Sequence, residues 1–355
     1  MTWGSDQTVF NGEGDADWAS GLLEGDPGGT RRKEERAVDG LEHEPVMRAD
    51  VVRLLLPTPR PGLRLIDLTV GLGGHSEALL EAAPSDAELL AIDRDPVALE
   101  KARARLAPFG DRVHLVQSPF SGMPGAMDSI GWTHADGILS DLGVSSMQLD
   151  DAGRGFSFQS DAPLDMRMDQ THGESAAELL ARLDVSELGT LIKELGDEPA
   201  GRRIARAIKR ADESPATTSA LRAAVHRAVG PRRGRKHDPS TLTFQALRIA
   251  VNRELEELDA LLVALQDRLS LHGRVVILAY HSLEDRPVKR TFALWAKACV
   301  CPPALMMCQC GGKARAEALT RRVATPSEEE IEGNPRARSA RLRAIEWLED
   351  AGDDS

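Results

Sequence analysis

Short apolar runs alternate with amphipathic stretches in the first half of the chain. Strand-like runs lie at 64–69, 88–93, 113–117 and 137–142, and helical patterns separate the first three of them. Such alternation is typical of a parallel sheet with helices packed on its faces. The pattern therefore predicts an α/β fold with an open, Rossmann-like sheet.

This alternation is interrupted by residues 149–237, which contain no convincing strand. Their helical patterns lie near 175–183, 186–195, 201–211 and 217–228. The simplest organisation is a helical insertion in a sheet core. We therefore predict an extension at 1–40, the first part of the core at 41–148, the inserted helical domain at 149–237 and the second part of the core at 238–350.

The second part of the core resumes the sheet pattern. Apolar positions between 241 and 267 step by three or four residues, which predicts one helix with a single buried face. A buried strand at 274–280 follows, and a helix begins near Glu284. The tail at 340–348 fits either a closing edge strand or a helix, because its periodicity does not decide between them.

Composition and charge narrow the class of protein. Apolar residues make up 41% of the chain and charged residues 28%, as in a soluble globular protein. The chain shows neither a run of roughly 18 apolar residues, as a membrane span needs, nor a secretory signal, so we expect a cytoplasmic protein without a membrane partner.

Charge is unevenly distributed along the chain, whose net charge is −12. Residues 1–40 carry nine acids against four bases and few apolar positions, which predicts a disordered acidic extension. Residues 201–236 carry eleven bases against two acids. That positive segment fits the binding surface for a polyanion, or a solvated helix face followed by a loop.

A glycine-rich turn follows the first predicted strand, with the glycines at Gly71, Gly73 and Gly74. The second strand ends on an acid, Asp93. In open α/β sheets this arrangement holds an adenosine-type cofactor: the backbone approaches the ligand at the turn, and the carboxylate accepts from ribose hydroxyls. A dinucleotide site would want a third glycine at Ser76. A cofactor with ribose but no phosphate fits better, and S-adenosylmethionine is the obvious candidate.

Further polar and aromatic residues follow the later strands. Phe120 could form a wall for an adenine or pack in the core. Asp141 ends the fourth strand, where its carboxylate could face a sulfonium or accept from a nucleophilic amine. Gln148 could read an adenine edge or belong to a helix cap. His75 could contact the cofactor or simply open a helix, and His281 is a proton acceptor or a structural histidine.

Four cysteines form two C-x-C pairs near the end of the chain: Cys299, Cys301, Cys308 and Cys310. In a reducing compartment we do not expect disulfides. Four thiolates in twelve residues could bind a structural zinc ion, although C-x-x-C is the commoner spacing. Reduced cysteines without a metal are the other interpretation.

These motifs together resemble the bacterial ribosomal small-subunit methyltransferase H family, also called MraW, over residues 42–346. The resemblance rests on several long motifs: Asp67–Ser76, Asp93–Pro96, Asp141–Asp150, Gly155–Asp169, Arg202–Ile208, Thr243–Asn252, His281–Arg286 and Asn334–Arg341. It implies a class I methyltransferase core and transfer of methyl from S-adenosylmethionine to N4 of a decoding-centre cytidine in 16S rRNA.

The resemblance also implies roles for individual residues. The cofactor contacts of the family fall on Gly73, Gly74, His75, Asp93, Phe120, Asp141 and Gln148. Independently of the resemblance, their positions at the strand ends make Asp141 and His281 the candidate catalytic residues. The inserted domain is expected to recognise the RNA, and its candidate gripping surface comprises Arg202, Arg203, Arg206, Lys209, Arg232, Arg233, Arg235 and Lys236.

This sequence departs from the family pattern in places. Asp238–Thr243 replaces a His-Pro-Ala-Thr-Arg-Thr motif, so RNA contacts by that His or Arg cannot be carried over. The acidic extension and the cysteine cluster are not general family features. The expected partner is the small ribosomal subunit or its 16S rRNA, and the sequence leaves a homodimer open.

Other functions remain open from the sequence alone. A methyltransferase fold could act on a protein or a small molecule instead of RNA. It could also serve as a non-enzymatic RNA-binding factor in ribosome assembly, on a methyltransferase scaffold. A nicotinamide-dependent oxidoreductase is opposed by Ser76, which stands where the dinucleotide fingerprint needs glycine.

Overall fold

The computed structural model describes residues 44–56, 60–210, 214–230, 238–301 and 312–349, together with 305, 307 and 309. The chain divides into two units after Glu42, and all described residues belong to the second, His43–Ser355. The predicted disordered extension at 1–40 lies outside the described residues.

The described residues form seven strands and thirteen α-helices. The strands are β1 (Arg64–Asp67), β2 (Glu88–Asp93), β3 (Val113–Gln117), β4 (Ala135–Asp141), β5 (Leu269–Ala279), β6 (Ala316–Ala318) and β7 (Arg341–Trp347). The helices are α1 (Arg48–Leu55), α2 (Gly74–Ala82), α3 (Pro96–Leu106), α4 (Met123–Ser129), α5 (Ser146–Asp150), α6 (Ala176–Arg182), α7 (Val185–Gly196), α8 (Gly201–Lys209), α9 (Thr218–Val229), α10 (Ser240–Asn252), α11 (Glu254–Ala264), α12 (Ser282–Trp295) and α13 (Glu328–Gly333). Within this described part, no helix combines the length and the apolar character needed to cross a lipid bilayer.

The strands form one sheet in the order β3-β2-β1-β4-β5-β7-β6. Neighbouring strands from β3 to β5 run parallel, and β7 pairs antiparallel with both β5 and β6. Strand order reverses between β1 and β4, which is where open α/β sheets form their binding crevice. The predicted open, Rossmann-like α/β sheet is confirmed.

The inner strands are buried on both faces, as parallel sheets covered by helices require. In β1, Leu65 belongs to one hydrophobic cluster and Ile66 to the other, since successive side chains point to opposite faces. The same alternation continues in β2, where Leu89 and Leu90 belong to different clusters. This two-sided core fixes the sheet and therefore the edge at which its polar strand ends meet.

A third hydrophobic cluster lies in the helical segment between β4 and β5. It is built from α6 to α9 and also takes in Phe244 and Leu247 of α10. The loop before α6 contributes four further members: Phe156, Leu164, Met166 and Met168. The helices observed at 176–182, 185–196, 201–209 and 218–229 match the predicted patterns closely. We propose that this segment is the inserted domain expected at 149–237, and that its core extends into α10.

Asn252 joins the helical segment to the sheet core. Its side chain accepts from the backbone N–H of Met168 at 2.8 Å and donates to the carbonyl of Met166 at 2.8 Å. Its own carbonyl accepts from Arg94, which follows β2, at 2.7 Å. The two bonds to Met166 and Met168 anchor the irregular run at 155–169 to α10.

Two predicted elements differ from the structure. The single helix expected over 241–267 is broken into α10 and α11 at Arg253, whose φ of 53° is left-handed. Apolar spacing does not reveal such a break, because both helices bury their apolar faces. The tail forms strand β7, but it lies between β5 and β6 and is not at the sheet edge.

The close approach of α7 and α8 gives a stability prediction. A Cβ at Gly201 would lie 2.6 Å from the carbonyl oxygen of Gly189 and 2.9 Å from the backbone nitrogen of Lys193, so Gly201→Ala must push the helices apart. We expect urea denaturation of the full chain to show a loss of about 1–3 kcal/mol in the free energy of unfolding.

Gly125→Ala in α4 is the matched control, because a Cβ there meets nothing within 4 Å. It should leave the protein unchanged or stabilise it slightly, since alanine favours a helix. Equal stability of the two variants would contradict this account of how α7 packs on α8.

Candidate functional site

A cavity of about 530 Å³ opens at the carboxyl ends of β1, β2, β4 and β5. Its volume is within the range of small-molecule sites. The structure brings most of the predicted site residues together here, and those that line it are Gly74, His75, Asp93, Phe120, Asp141, Gln148 and His281. Gly73 does not line the cavity, but it is the N-cap residue of α2 and so shapes the turn.

The glycine turn after β1 is shaped by left-handed backbone. Gly71 has a φ of 52° and Gly73 a φ of 80°, conformations that glycine adopts without steric cost. A Cβ at Gly74 would lie 2.6 Å from the ring of Pro45, so only glycine fits there. Buried Ser76 donates to Asp67 at 2.7 Å, which gives the residue in place of the third glycine a structural role.

Asp93 joins the end of β2 to this turn. Its carboxylate accepts from the backbone N–H of Gly71 and of Asp95, both at 2.9 Å. Burial raises the pKa of Asp93 to about 6, although the two N–H donors oppose the shift. Above that pH the carboxylate is ionised and can accept from further hydroxyl groups in the cavity.

Asp95 lies behind the wall of the cavity and holds its residues in place by hydrogen bonds. It caps α3 through the N–H of Val97, and its second oxygen accepts from Gln148 and Arg154, both at 2.9 Å. Asp95 and Arg154 are almost fully buried, at 1% and 4% exposure. Gln148 also accepts from the N–H of Ser145 in a capping box, so it combines the predicted helix-cap role with a place in the cavity wall.

Asp141 presents its carboxylate at the end of β4. Tyr280, the single tyrosine of the chain, donates its hydroxyl to one oxygen at 2.8 Å. The other oxygen lies 3.7 Å from Nε2 of His75. The backbone N–H of Asp141 donates to Thr69 at 2.7 Å, which ties the ends of β1 and β4 together. A quarter of the Asp141 side chain remains exposed, so it can meet a ligand.

A second polar group closes the cavity on the side of α10 and α12. Arg248 donates through Nε and Nη2 to the carboxylate of Glu254, at 2.8 and 2.9 Å. His281 lies between Arg248 and Glu284, with its Nε2 at 3.1 Å from a carboxylate oxygen of Glu284. Despite burial, hydrogen bonding and the charges of His281 and Arg248 lower the pKa of Glu284.

The residues of the cavity fit a sulfonium donor that carries an adenosine. Asp93 could accept from ribose hydroxyls, Phe120 could form an aromatic wall, and Asp141 could place a negative charge near the positive sulfur. Both ring nitrogens of the buried His75 lack a hydrogen-bond partner among the described residues. A polar ligand group would satisfy them, because buried polar atoms rarely stay unpaired. The donor set therefore agrees with the predicted cofactor.

Several residues of the site escaped the sequence interpretation. Tyr280 and Arg154 act through contacts that are distant along the chain, which residue patterns do not show. Arg248 and Glu254 are near neighbours in sequence, but they meet across the break between α10 and α11, which apolar spacing does not reveal. The one available signal was Tyr280, which ends the predicted strand at 274–280 directly before His281.

The cysteine cluster stays open between a structural zinc ion and reduced cysteines. Of its four cysteines, Cys308 and Cys310 lie outside the described residues, and Cys299 and Cys301 form no disulfide in the described part of the chain.

Comparisons with known proteins identify relatives over most of the chain. The model of the MraW methylase family matches residues 40–348. A ribosomal RNA small subunit methyltransferase H of Solidesulfovibrio magneticus is 46% identical over 318 residues, which are 88% of this chain and 97% of the relative. The protein of the same name from Anaeromyxobacter dehalogenans is 49% identical over 310 residues, 86% of this chain and 98% of the relative.

Solved structures give more distant likenesses. An rRNA methylase from Streptococcus thermophilus matches 84% of this chain and 94% of its own with a TM-score of 0.38 and 11% identity. A methyltransferase from Streptococcus mutans, solved with SAH, matches 86% of this chain and 99% of its own with a TM-score of 0.40 and 11% identity.

The buried pair of Arg154 and Asp95 gives a prediction about the site. Arg154→Met leaves the carboxylate of Asp95 buried without its positive partner, and removes bonds from Arg154 to the carbonyls of Arg167 and Met168. We expect the free energy of unfolding to fall by about 3–5 kcal/mol, measured by chemical denaturation.

Arg103→Met is the control, because Arg103 is 62% exposed and its carboxylate partner is 3.6 Å away. That variant should stay within about 0.5 kcal/mol of the wild type. A loss in Arg154→Met no larger than in Arg103→Met would show that the buried pair does not support the cavity wall.

Proposed function

This chain belongs to the MraW methylase family, and from that premise we propose that it methylates the RNA of the small ribosomal subunit with S-adenosylmethionine as methyl donor. The finer proposal is that the accepting atom is N4 of a decoding-centre cytidine in 16S rRNA, as the motif resemblance implies. The observation that carries it is the grouping of Asp93, His75 and Asp141 in one cavity at the sheet edge.

The donor occupies the half of the cavity nearest β1 and β2. When bound, S-adenosylmethionine supplies an electrophilic methyl group on a positively charged sulfur. Asp93 accepts from its ribose, and Phe120 and Gln148 border its base. The cavity wall formed by the glycine turn leaves room for the ligand against the backbone.

The accepting amine needs help from the protein. The lone pair of an exocyclic amine on cytosine is delocalised into the ring, so the site must orient the amine and exclude water. Asp141 accepts a hydrogen of that amine, and the hydroxyl of Tyr280 holds the carboxylate in place at 2.8 Å. Because Tyr280 occupies one oxygen, the other is left for the amine.

His281 is our candidate for the group that takes the surplus proton. Its Nε2 faces the carboxylate of Glu284 at 3.1 Å, which favours the tautomer with a hydrogen on Nε2. Nδ1 then keeps its lone pair and can accept. The proton lost by the amine after methyl transfer would come to rest there or on Asp141.

The substrate RNA is expected to contact the helical segment. Arg202, Arg203 and Arg206 are exposed on α8, where they can meet phosphates. Lys209 instead donates to the carbonyls of Leu180 and Ala181 at the end of α6, so it is less free to do so. The other predicted gripping residues, Arg232, Arg233, Arg235 and Lys236, lie outside the described residues.

The proposal also covers the cellular location and the oligomeric state of the protein. We expect the protein to act in the cytoplasm, where small ribosomal subunits are made. A homodimer stays a prediction, which a mass measurement in solution would decide.

Nucleoside mass spectrometry tests the proposed function. Small-subunit rRNA from cells lacking this protein should lose one N4-methylated cytidine, and expression of the wild-type chain should restore it. Expression of Asp141→Asn should not restore it, because an amide holds the amine less well than a carboxylate. We expect at least about a hundredfold loss of transfer in the purified variant.

Two other outcomes would contradict the proposal. An unchanged nucleoside profile in the deletion strain would favour the alternative of a non-enzymatic assembly factor. Full restoration by Asp141→Asn would show that methyl transfer does not require the Asp141 carboxylate.

Binding of the donor should depend on the ionisation of Asp93, whose pKa is raised to about 6. The ionised carboxylate prevails above that pH and accepts from the ribose. As the pH falls through 6 the carboxyl becomes protonated, and donor affinity should fall by up to about tenfold per pH unit. Calorimetric titration with S-adenosylmethionine between pH 7.5 and pH 5 measures this.

Asp93→Asn is the control for that titration. It cannot ionise, so its affinity should be weaker at pH 7.5 and should lack the decline attributed to Asp93. A decline of the same size in Asp93→Asn would contradict the role given to the Asp93 carboxylate.

A further inference from the structure

The cavity has a second half that none of the predicted cofactor contacts occupies. It is formed by Thr241, Gln245 and Arg248 of α10, by Glu254 of α11, and by Tyr280, His281 and Glu284 after β5. This half adjoins Asp141, because Tyr280 belongs to it and donates to the Asp141 carboxylate. A base whose amine is held by Asp141 would therefore extend into this half.

Arg248 is fixed within this half of the cavity. Its side chain is 16% exposed, and Nε and Nη2 both donate to the carboxylate of Glu254 in a forked ion pair. Such bidentate pairs hold the planar guanidinium in a defined orientation. Nη1 makes no hydrogen bond among the described residues, so its two N–H donors are left for a ligand in the cavity that Arg248 lines.

The charges around Arg248 argue against a phosphate as that ligand. Glu254 pairs with the guanidinium directly, and a carboxylate oxygen of Glu284 lies 3.9 Å from Nη2. These two acids and His281 lie close enough to hold a metal ion, but Arg248 already supplies their positive charge. An anion would meet two negative charges here. A neutral group that presents hydrogen-bond acceptors would not be repelled by these two carboxylates.

We propose that Arg248 recognises the acceptor edge of the target base and thereby selects cytosine over uracil. The proposal rests on the proposed function, since it assumes a pyrimidine amine at Asp141. Cytosine carries the acceptors N3 and O2 beside its amine, whereas uracil carries an N–H at N3. A guanidinium donor that meets N3–H leaves two buried donors unpaired, and polar sites reject such mismatched analogues strongly.

Arg248 and Asp141 then read the base together. Asp141 accepts from the amine, and Nη1 of Arg248 donates to the acceptors beside it. Only a base with a donor next to an acceptor satisfies both, as in cytosine. Glu254 is a positioning residue in this scheme, because it holds the guanidinium and touches no part of the base.

The test compares Arg248→Lys and Arg248→Met with the wild type, as full-length proteins. Methyl transfer is measured on small subunits from cells lacking the protein, with free cytidine and uridine as competing probes. In the wild type, cytidine should inhibit at least about tenfold more strongly than uridine. In both variants this ratio should fall to about one, kcat/KM should fall about tenfold or more, and the Kd for S-adenosylmethionine should stay within about twofold.

Arg248→Lys keeps the positive charge between Glu254 and Glu284, so it guards against a variant that simply fails to fold. Arg290→Lys and Arg290→Met are the matched controls, because Arg290 is exposed on α12 and outside the cavity. Both controls should behave as the wild type in every measurement.

Three results would overturn the proposal. The first is that cytidine and uridine inhibit the wild type equally, or that neither inhibits it. The second is that Arg248→Lys keeps the preference for cytidine. The third is that the variants lose affinity for S-adenosylmethionine as strongly as they lose kcat/KM. Failure of the proposed function looks different, since the wild type would then transfer no methyl to these subunits at all.

Discussion

The site depends on acidic residues that parallel strands bring to one edge of the sheet. The fold must supply each of their carboxylates with hydrogen-bond donors. Asp67, Asp93 and Asp141 end β1, β2 and β4. Burial raises the pKa of Asp67 and of Asp93, so each ionised carboxylate is costly unless donors surround it. Ser76, the N–H groups of the glycine turn and Tyr280 provide those donors. The positions of these donors around the carboxylates therefore set the shape of the cavity.

The same requirement divides the cavity into two halves with different chemistry. Around Asp93 and His75 the protein offers acceptors and unpaired ring nitrogens, which suit a small polar ligand. Around Arg248 an ion pair is already complete and leaves only a directed donor. Asp141 stands between the halves and faces both. This arrangement suits a reaction between two ligands. Each half of the cavity can recognise one ligand, and the two ligands can meet at the Asp141 carboxylate.

Local pattern predicted much of this fold, and long-range contacts account for what it missed. The strand ends at Asp93 and Asp141 were visible because a buried apolar run stops at a polar residue. The break at Arg253 was not, since the apolar spacing continues across it. The partners of Asp141 and Asp95 were also invisible, because Tyr280 and Arg154 lie 139 and 59 residues away along the chain. Sequence spacing carries no record of such pairs.

The bonds that Asn252 and Arg154 make have a consequence for how this architecture can be engineered. Asn252 bonds to the carbonyl of Met166 and the N–H of Met168, and Arg154 pairs with Asp95 behind the cavity wall. Excising the helical segment would leave Asn252 without its backbone partners and Asp95 without Arg154, so the remaining sheet would not be a ready-made minimal enzyme. Swapping that segment between homologues should succeed only when these anchor points travel with it. The graft boundaries are thus dictated by hydrogen bonds and not by the ends of helices.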